Sequence, residues 1–309
     1  MSRGREQLAG ELLSHLGIGL QTAFDILKEN MGRGFRDRGQ RRCFAEKEGA
    51  MLLVMDVGNT TTVVGIFDGK KLTAHWRLSS ILHTSDELGV YLLTLLGTKG
   101  VGPDGIDGAV FASVVPPLDL PVSEAIRNFL GVEALRVDAF TDIGMEIRYA
   151  SPREVGADRI VNALGGRVKY GAPLIVVDYG TAITLDVVSA DGAYLGGVIA
   201  PGLVSGISAL FGRTAKLPQV GVELPPSVIG RNTNESIQSG ILFGNAGLTD
   251  RLVEMVRSEL GVQARVVATG GHAELMAELS RTIDQVDPWL TLDGLRLIHE
   301  RASRKKALP

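Results

Sequence analysis

An α/β fold of two duplicated domains, each a mixed sheet flanked by helices, is what this sequence predicts. Three observations carry the prediction. An apolar strand, a polar turn holding an aspartate, a second strand, an Asp-Gly turn and a third strand run from Leu52 and recur from Leu174. The copies keep register: Asp56 and Asp178 are 122 residues apart, and the turns at Asp68-Gly69 and Asp191-Gly192 are 123 apart. After each copy, helical stretches alternate with further strands, the pattern of a sheet that helices cover.

In the first copy, Leu52 to Met55 is an unbroken apolar run ending in Asp56-Val57-Gly58-Asn59-Thr60-Thr61-Thr62. Val63 to Phe67 and Leu72 to Leu78 follow as strands joined through Asp68-Gly69, a hairpin signal. Ser85 to Leu96 reads as a helix and Ala109 to Val115 as a strand. In the second copy, Leu174 to Val177 leads into Asp178-Tyr179-Gly180-Thr181-Ala182, then Leu185 to Ser189, Asp191-Gly192 and Tyr194 to Ile199. Leu203 to Phe211 reads as a helix and Ala264 to Thr269 as a strand. Gly171 and Pro173 break the chain before the second copy, so the domains are expected at 51–170 and 171–309. Residues 1–50 read as an N-terminal extension, either disordered or translated from an upstream start. Gly32 to Arg42 has no apolar period, and Lys47-Glu48-Gly49 can be encoded by a purine-rich string like a ribosome-binding site just before Met51.

Composition removes several function classes. A length of 309 residues suffices for about two domains with cores of their own. A net charge of −3 provides no whole-chain basic field, so no nucleic-acid partner is expected. Cys43 is the sole cysteine, which excludes an intramolecular disulfide framework and multi-cysteine metal sites. No apolar run approaches the roughly 18 residues of a membrane span. Glu6, Glu11, Asp25 and Glu29 interrupt the region where a signal peptide would need apolar sequence, so the expected location is cytoplasmic, without membrane contact. The five histidines lack metal-ligand spacing, and neither a G-x-x-x-x-G-K-[ST] string nor a strand-linked G-x-G-x-x-G occurs.

The paired turns suit nucleotide phosphate. Glycine admits backbone N–H groups close to phosphate oxygens, threonine hydroxyls add donors, and an aspartate can hold a hydrated Mg²⁺. A single Asp-x-Gly turn is more often an ordinary hairpin, but two in register reverse that reading. Such pairs resemble the phosphate loops of the acetate and sugar kinase, heat-shock and actin superfamily, which implies two duplicated ribonuclease H-like (actin-like ATPase) domains with ATP between them. Ala268-Thr269-Gly270-Gly271 fits an adenosine contact and a plain strand-to-helix turn equally.

Between the copies lies Tyr149-Ala150-Ser151-Pro152-Arg153-Glu154-Val155-Gly156-Ala157-Asp158-Arg159, which opens a helical stretch from Ile160 to Lys169. Asp158 can accept a proton from an attacking hydroxyl; alone, it also reads as a helix-terminal acid paired with arginine. Five motifs then narrow the resemblance: Asp56-Val57-Gly58-Asn59-Thr60, Gly156-Ala157-Asp158-Arg159, Asp178-Tyr179-Gly180-Thr181-Ala182, Gly197-Val198-Ile199-Ala200-Pro201-Gly202 and Gly230-Arg231-Asn232-Thr233. Their order and spacing resemble those of type III pantothenate kinases from Met51 to about Arg301.

That resemblance implies ATP-dependent phosphorylation of pantothenate, the first step of coenzyme A biosynthesis. It assigns ATP phosphates to Asp56, Val57, Gly58, Asn59, Thr60, Thr61, Thr62 and Val63, with Mg²⁺ near Asp56, and a further ATP contact to Thr181. It assigns pantothenate to Tyr149, Gly156, Ala157, Asp158 and Arg159, with Asp158 as the base and Arg159 on the substrate carboxylate. Asp178 would ligate a monovalent cation, K⁺ or NH₄⁺. Thr233 would reach pantothenate from a partner subunit, which implies an obligate homodimer with the substrate site at its interface. Two alternatives are another small-molecule kinase of the superfamily and a non-catalytic regulatory relative; intact Asp158 and Arg159 speak against the latter.

Overall fold

The computed structural model describes residues 51–138, 140–211 and 220–307. The expectations for residues 1–50, including Cys43, lie outside the described residues. Two compact units divide the described chain. One comprises the residues up to Val57 with Thr61–Arg136, and the other Gly58–Thr60 with the chain from Val137 onward.

The first unit carries a five-stranded sheet. Strands β1 (Met51–Val57), β2 (Thr61–Asp68) and β3 (Lys71–Ser79) form an antiparallel meander. β4 (Ile106–Ser113) lies parallel to β1, and β5 (Ala134–Val137) completes the order β3-β2-β1-β4-β5. Helix α1 (Ser85–Gly97) leads into β4, and α2 (Pro116–Ala125) leads toward β5. Leu52 to Met55 are buried because β1 is central, flanked by β2 and β4, which explains an unbroken apolar run where alternation would mark a half-exposed strand. Thr84 caps α1: its hydroxyl accepts from Glu87 N–H while the Glu87 carboxylate accepts from Thr84 N–H, so two end donors are satisfied reciprocally. Leu92 and Leu96 of α1 pack with Leu53, Met55 and Phe111 of the sheet.

The second unit repeats this topology. β6 (Leu174–Tyr179), β7 (Ala182–Val188) and β8 (Tyr194–Pro201) form the meander, β9 (Arg265–Thr269) runs parallel to β6, and β10 (Gln285–Val286) runs parallel to β9. The order is β10-β9-β6-β7-β8. Asp56 and Asp178 are each the penultimate residue of the central strand, opposite Val63 and Ala112 in one sheet and Thr184 and Thr269 in the other. Gly69 and Gly192, at φ +56° and +86°, supply the left-handed residue that each Asp-Gly turn requires.

The domain boundary expected at 170/171 is corrected to Arg136/Val137. Helix α3 (Ala157–Tyr170) belongs to the second unit. It buries Ile160, Val161 and Leu164, and a Cβ on Gly166 would fall 2.6 Å from Leu174 Cδ2, so the helix lies directly on the second sheet. Gly171, at φ +85°, ends α3 but leaves it attached to the unit that follows.

Helices α4 (Leu203–Phe211), α5 (Thr233–Leu260), α6 (Ala273–Leu279) and α7 (Leu290–Ala307) complete the second unit. α7 packs against α3 by close backbone approach. A Cβ on Gly294 would lie 2.3 Å from Val161 O, and one on Gly165 would lie 2.9 Å from Leu290 O. Gly294→Ala is therefore expected to force the helices apart and destabilise the protein by about 1–3 kcal/mol, read as a lower urea midpoint with unchanged m-value.

Candidate active site

The first turn of α3 converts the Gly-Ala-Asp-Arg motif into a site. Gly156 is its N-cap, and a Cβ there would meet Asp158 Oδ1 at 2.5 Å. Glycine therefore lets the Asp158 carboxylate fold back over the helix N-terminus, where Oδ1 accepts the Arg159 N–H at 2.8 Å. Burial raises the Asp158 pKa; the Arg159 N–H and the Arg159 charge oppose that rise without cancelling it. Ala157 is buried beside it.

The Arg159 side chain turns the other way, into the second unit. Its Nε donates to Asp186 Oδ1 at 2.7 Å, with only 9% of the arginine side chain and none of the aspartate exposed. Tyr194 OH donates to the same oxygen at 2.9 Å, and Thr184 Oγ1 to Asp186 Oδ2 at 3.2 Å. Arg159 Nη2 is buried and makes no hydrogen bond. A Cβ on Gly197, the residue opposite Asp186 on β8, would stand 3.0 Å from that nitrogen and 1.7 Å from Leu185 O. This glycine of the Gly197 to Gly202 motif thus makes room for the guanidinium. Tyr149 stands at the edge, its ring 6.5 Å from that of Tyr194, and Gly196 at φ +112° clears it.

Asp178 closes β6 nearby. Its Oδ2 accepts from Asn162 Nδ2 at 2.9 Å, and Asn162 Oδ1 accepts from Thr291 Oγ1 at 2.7 Å. Asn162 lies one helical turn beyond Asp158, on the same face of α3. Burial, then the negative charge of Asp158, pushes the Asp178 carboxyl up to about 6; the Asn162 bond pulls the other way. Gly270, at φ +93°, passes so near that a Cβ would touch Asp178 Oδ1 at 2.4 Å. The Thr269-Gly270-Gly271 segment is therefore a strand-to-helix turn seated against Asp178, with Thr269 Oγ1 buried and unpaired.

The turn after β6 presents Thr181 exposed at its tip, and Ser205 Oγ donates to Thr181 O at 2.7 Å. Gly202 ends the Gly197 to Gly202 motif by packing on the same turn, 2.3 Å from Thr181 O for an added Cβ. In the first unit, Asp56 is partly exposed on β1, and Thr61 and Val63 are partly buried on β2; Asn59 and Thr60, grouped with the second unit, are exposed. Thr62 is buried and shares a 2.8 Å hydrogen bond with Ser80, so its hydroxyl already serves the unit itself. Thr233 begins α5 and is exposed; Asn232 Oδ1 accepts from Glu235 N–H, so the Gly230 to Thr233 motif is a capped helix start. Sequence reasoning missed Asp186, Tyr194, Asn162 and Thr291. The visible signals were an acid inside the apolar run Leu185 to Val188 and an amide four residues after Asp158.

Among the described residues no cluster of three or more His, Cys, Asp or Glu is arranged for a metal ion. The carboxylate oxygens of Asp56 and Asp178 are hard donors, and on Asp178 the Asn162 bond engages Oδ2. They fit Mg²⁺ held mostly by water and phosphate at the first, and a monovalent cation at the second. Among the described residues no helix is long and apolar enough to cross a membrane.

Comparison with known proteins gives the family and the fold. A family model described as type III pantothenate kinase matches residues 52–255. The type III pantothenate kinase of Pelobacter propionicus is 49% identical over 252 residues, covering 81% of this chain and 99% of the relative. That of Geobacter sulfurreducens is 47% identical with the same coverage. Among solved structures, a Campylobacter jejuni protein assigned to the Baf family of transcriptional activators aligns with a TM-score of 0.53 at 18% identity, covering 82% of this chain and 99% of its own. The ADPNP-bound activator of 2-hydroxyisocaproyl-CoA dehydratase from Clostridium difficile aligns at 0.50 and 16% identity, covering 84% and 98%. These two share the duplicated α/β architecture, which is as expected from the paired turns.

The raised Asp178 pKa carries a stability consequence. Between its ordinary pKa of 3.8 and about 6, the folded state binds a proton that the unfolded state has lost, so stability falls as pH rises through that window. Asp178→Asn is expected to be more stable than the parent at pH 7 by about 1–3 kcal/mol, the gain vanishing below about pH 4. Urea unfolding at both pH values, in a buffer whose only cations are bulky organic ones, measures it.

Proposed function

The chain belongs to the type III pantothenate kinase family, and on that premise we propose how its residues phosphorylate pantothenate to 4′-phosphopantothenate with ATP, the first step of coenzyme A biosynthesis. The observation that carries the assignment is the first turn of α3. It sets a proton acceptor, Asp158, next to a buried guanidinium whose Nη2 has no partner.

Arg159 Nη2 takes the pantothenate carboxylate, since a desolvated guanidinium N–H meeting a carboxylate makes a charge-assisted bond. Tyr149 walls the same pocket, and Gly156 and Ala157 bring the α3 backbone against the substrate. Asp158 then faces the primary hydroxyl. Its Oδ1 is held by the Arg159 N–H, which leaves Oδ2 to take the proton. As the hydroxyl oxygen bonds to the γ-phosphorus, the bond from that phosphorus to the β,γ-bridging oxygen breaks, and the hydroxyl proton passes to Asp158. Burial raises the proton affinity of Asp158, which favours its taking the proton.

Asp56 to Val63 supply the ATP phosphate contacts through backbone N–H groups and the exposed Asn59 and Thr60, with Thr181 a further ATP contact. Asp56 lies where one carboxylate can meet the Mg²⁺ that accompanies ATP. Asp178 Oδ1 is the ligand for K⁺ or NH₄⁺, whose charge offsets that of the phosphates. Thr233 serves a second subunit's pantothenate in an obligate homodimer. Val228 and Ile229, 64% and 81% exposed just before it, form the apolar surface that such an interface covers. The enzyme works in the cytoplasm.

The purified protein with ATP, Mg²⁺ and K⁺ is expected to release ADP in proportion to pantothenate; turnover of acetate or hexoses in its place would overturn the substrate assignment. Asp158→Asn should lower kcat by about 10²–10⁴-fold, as loss of a general base does, with ATP affinity measured by calorimetry unchanged. Full turnover in that variant removes Asp158 from the mechanism.

A further inference from the structure

We propose that Asp186 is a positioning residue that aims Arg159 and thereby sets the enzyme's preference for an acceptor bearing a carboxylate. The proposal rests on the reading of Arg159 as the carboxylate-binding residue and adds what makes that arginine selective.

A guanidinium has five N–H donors in one rigid plane, so fixing one edge fixes the direction of the others. Asp186 fixes the Nε edge at 2.7 Å. It is itself immobilised by Tyr194 OH and Thr184 Oγ1, one on each oxygen. The fork's other arm, Nη2, is buried over Gly197 without a partner. An unmade bond on a buried charged donor is costly, and an anionic acceptor oxygen relieves that cost far better than a neutral hydroxyl does. Without Asp186 the buried guanidinium would have no fixed counter-charge on its Nε side. Asp158, the nearest other acid, engages the Arg159 backbone N–H rather than its guanidinium. The sheet does not need an acid at this place. Asp186 pairs with Val176 on β6, two residues before Asp178 in the strand; the matching partner of Val54 in the first sheet is Gly65.

The test compares kcat/KM for pantothenate with that for pantothenyl alcohol, which has a hydroxymethyl group in place of the carboxylate. The full chain, Asp186→Asn and Tyr194→Phe are each measured, with thermal midpoints alongside. The parent should favour the carboxylate by at least about 10-fold, as expected where a charged hydrogen bond is lost. Asp186→Asn should lose about 10-fold of that ratio through a raised KM for pantothenate, with kcat changed by less than about 3-fold. Tyr194→Phe, which keeps the ion pair and removes one restraint on it, should shift the ratio the same way by about 3-fold, and decides the matter if Asp186→Asn does not fold. If the parent discriminates and the variants keep its ratio, whatever happens to overall rate or melting, Asp186 is merely structural and the proposal falls while the role of Arg159 stands. If the parent shows no preference for the carboxylate, the reading of Arg159 fails and the proposal with it.

Discussion

Most of the second unit's architecture around the site follows from one buried ion pair, Arg159 with Asp186. Desolvating two charges costs several kcal/mol per ion, and only good geometry with the remaining valences satisfied offsets it. Here the bond is 2.7 Å long, the acid's oxygens are met by Tyr194 and Thr184, and the neighbouring strand offers glycine where any side chain would collide with Leu185 O. That requirement fixes where α3 enters the unit. Gly156 permits its first turn, and Gly165 and Gly294 let α7 clamp it by backbone approach. Glycines scattered through the sequence thus serve one purpose, the placement of a single helix end.

The pair also sorts the charges around it. The charge of Asp158 raises both Asp178 and Asp186, and Arg159 is the cation that lowers Asp158 and Asp186. By taking the guanidinium edge, Asp186 keeps that cation's donors off the Asp158 carboxylate. A direct Arg–Asp158 pair would depress the acid and make it a poor base. Burial instead lifts Asp158, and lifts Asp178 to about 6 with help from the Asp158 charge. Burial pushes the Asp186 carboxyl up, and Arg159 and the Tyr194 hydroxyl hold it down. Asp186 meets the guanidinium edge, while Asp158 meets only the Arg159 backbone N–H.

Local chemistry was legible in the sequence wherever it repeated or punctuated. The twin meanders, the left-handed glycines at 69 and 192 and the helix at Leu203–Phe211 are read from spacing and turn residues, because those signals lie within a few residues of one another. The boundary at Arg136/Val137 was hidden, since Gly171 and Pro173 break the chain where the unit continues. Helix α5 was hidden for a different reason: its inward positions include Ser239, Ala246 and Thr249 beside Leu242 and Val253, so its buried stripe is only partly apolar. Asp158 and Arg159 were found by motif, but the partner that gives Arg159 its direction lies 27 residues away on another strand. Pairings of that kind depend on sheet register, which a linear pattern does not report.

The duplication makes the asymmetry of the two units informative. Both meanders place an aspartate at the end of the central strand, and both bury the residue that faces the strand two positions earlier. In the first unit that residue is Gly65; in the second it is Asp186, with none of its side chain exposed. Next across the sheet stand His75 in the first unit and Gly197 in the second. An acid beside a glycine opens a slot lined on one side by negative charge, and the α3 arginine fills it. A hairpin that folds with glycine at this position has no backbone need for a carboxylate, and a solitary buried carboxylate would weaken it. The acid and the arginine are therefore stable only as a pair, and the pair leaves the Nη2 group without a partner. A fold optimised for stability alone would satisfy Nη2; here that donor group stays open beside Gly197.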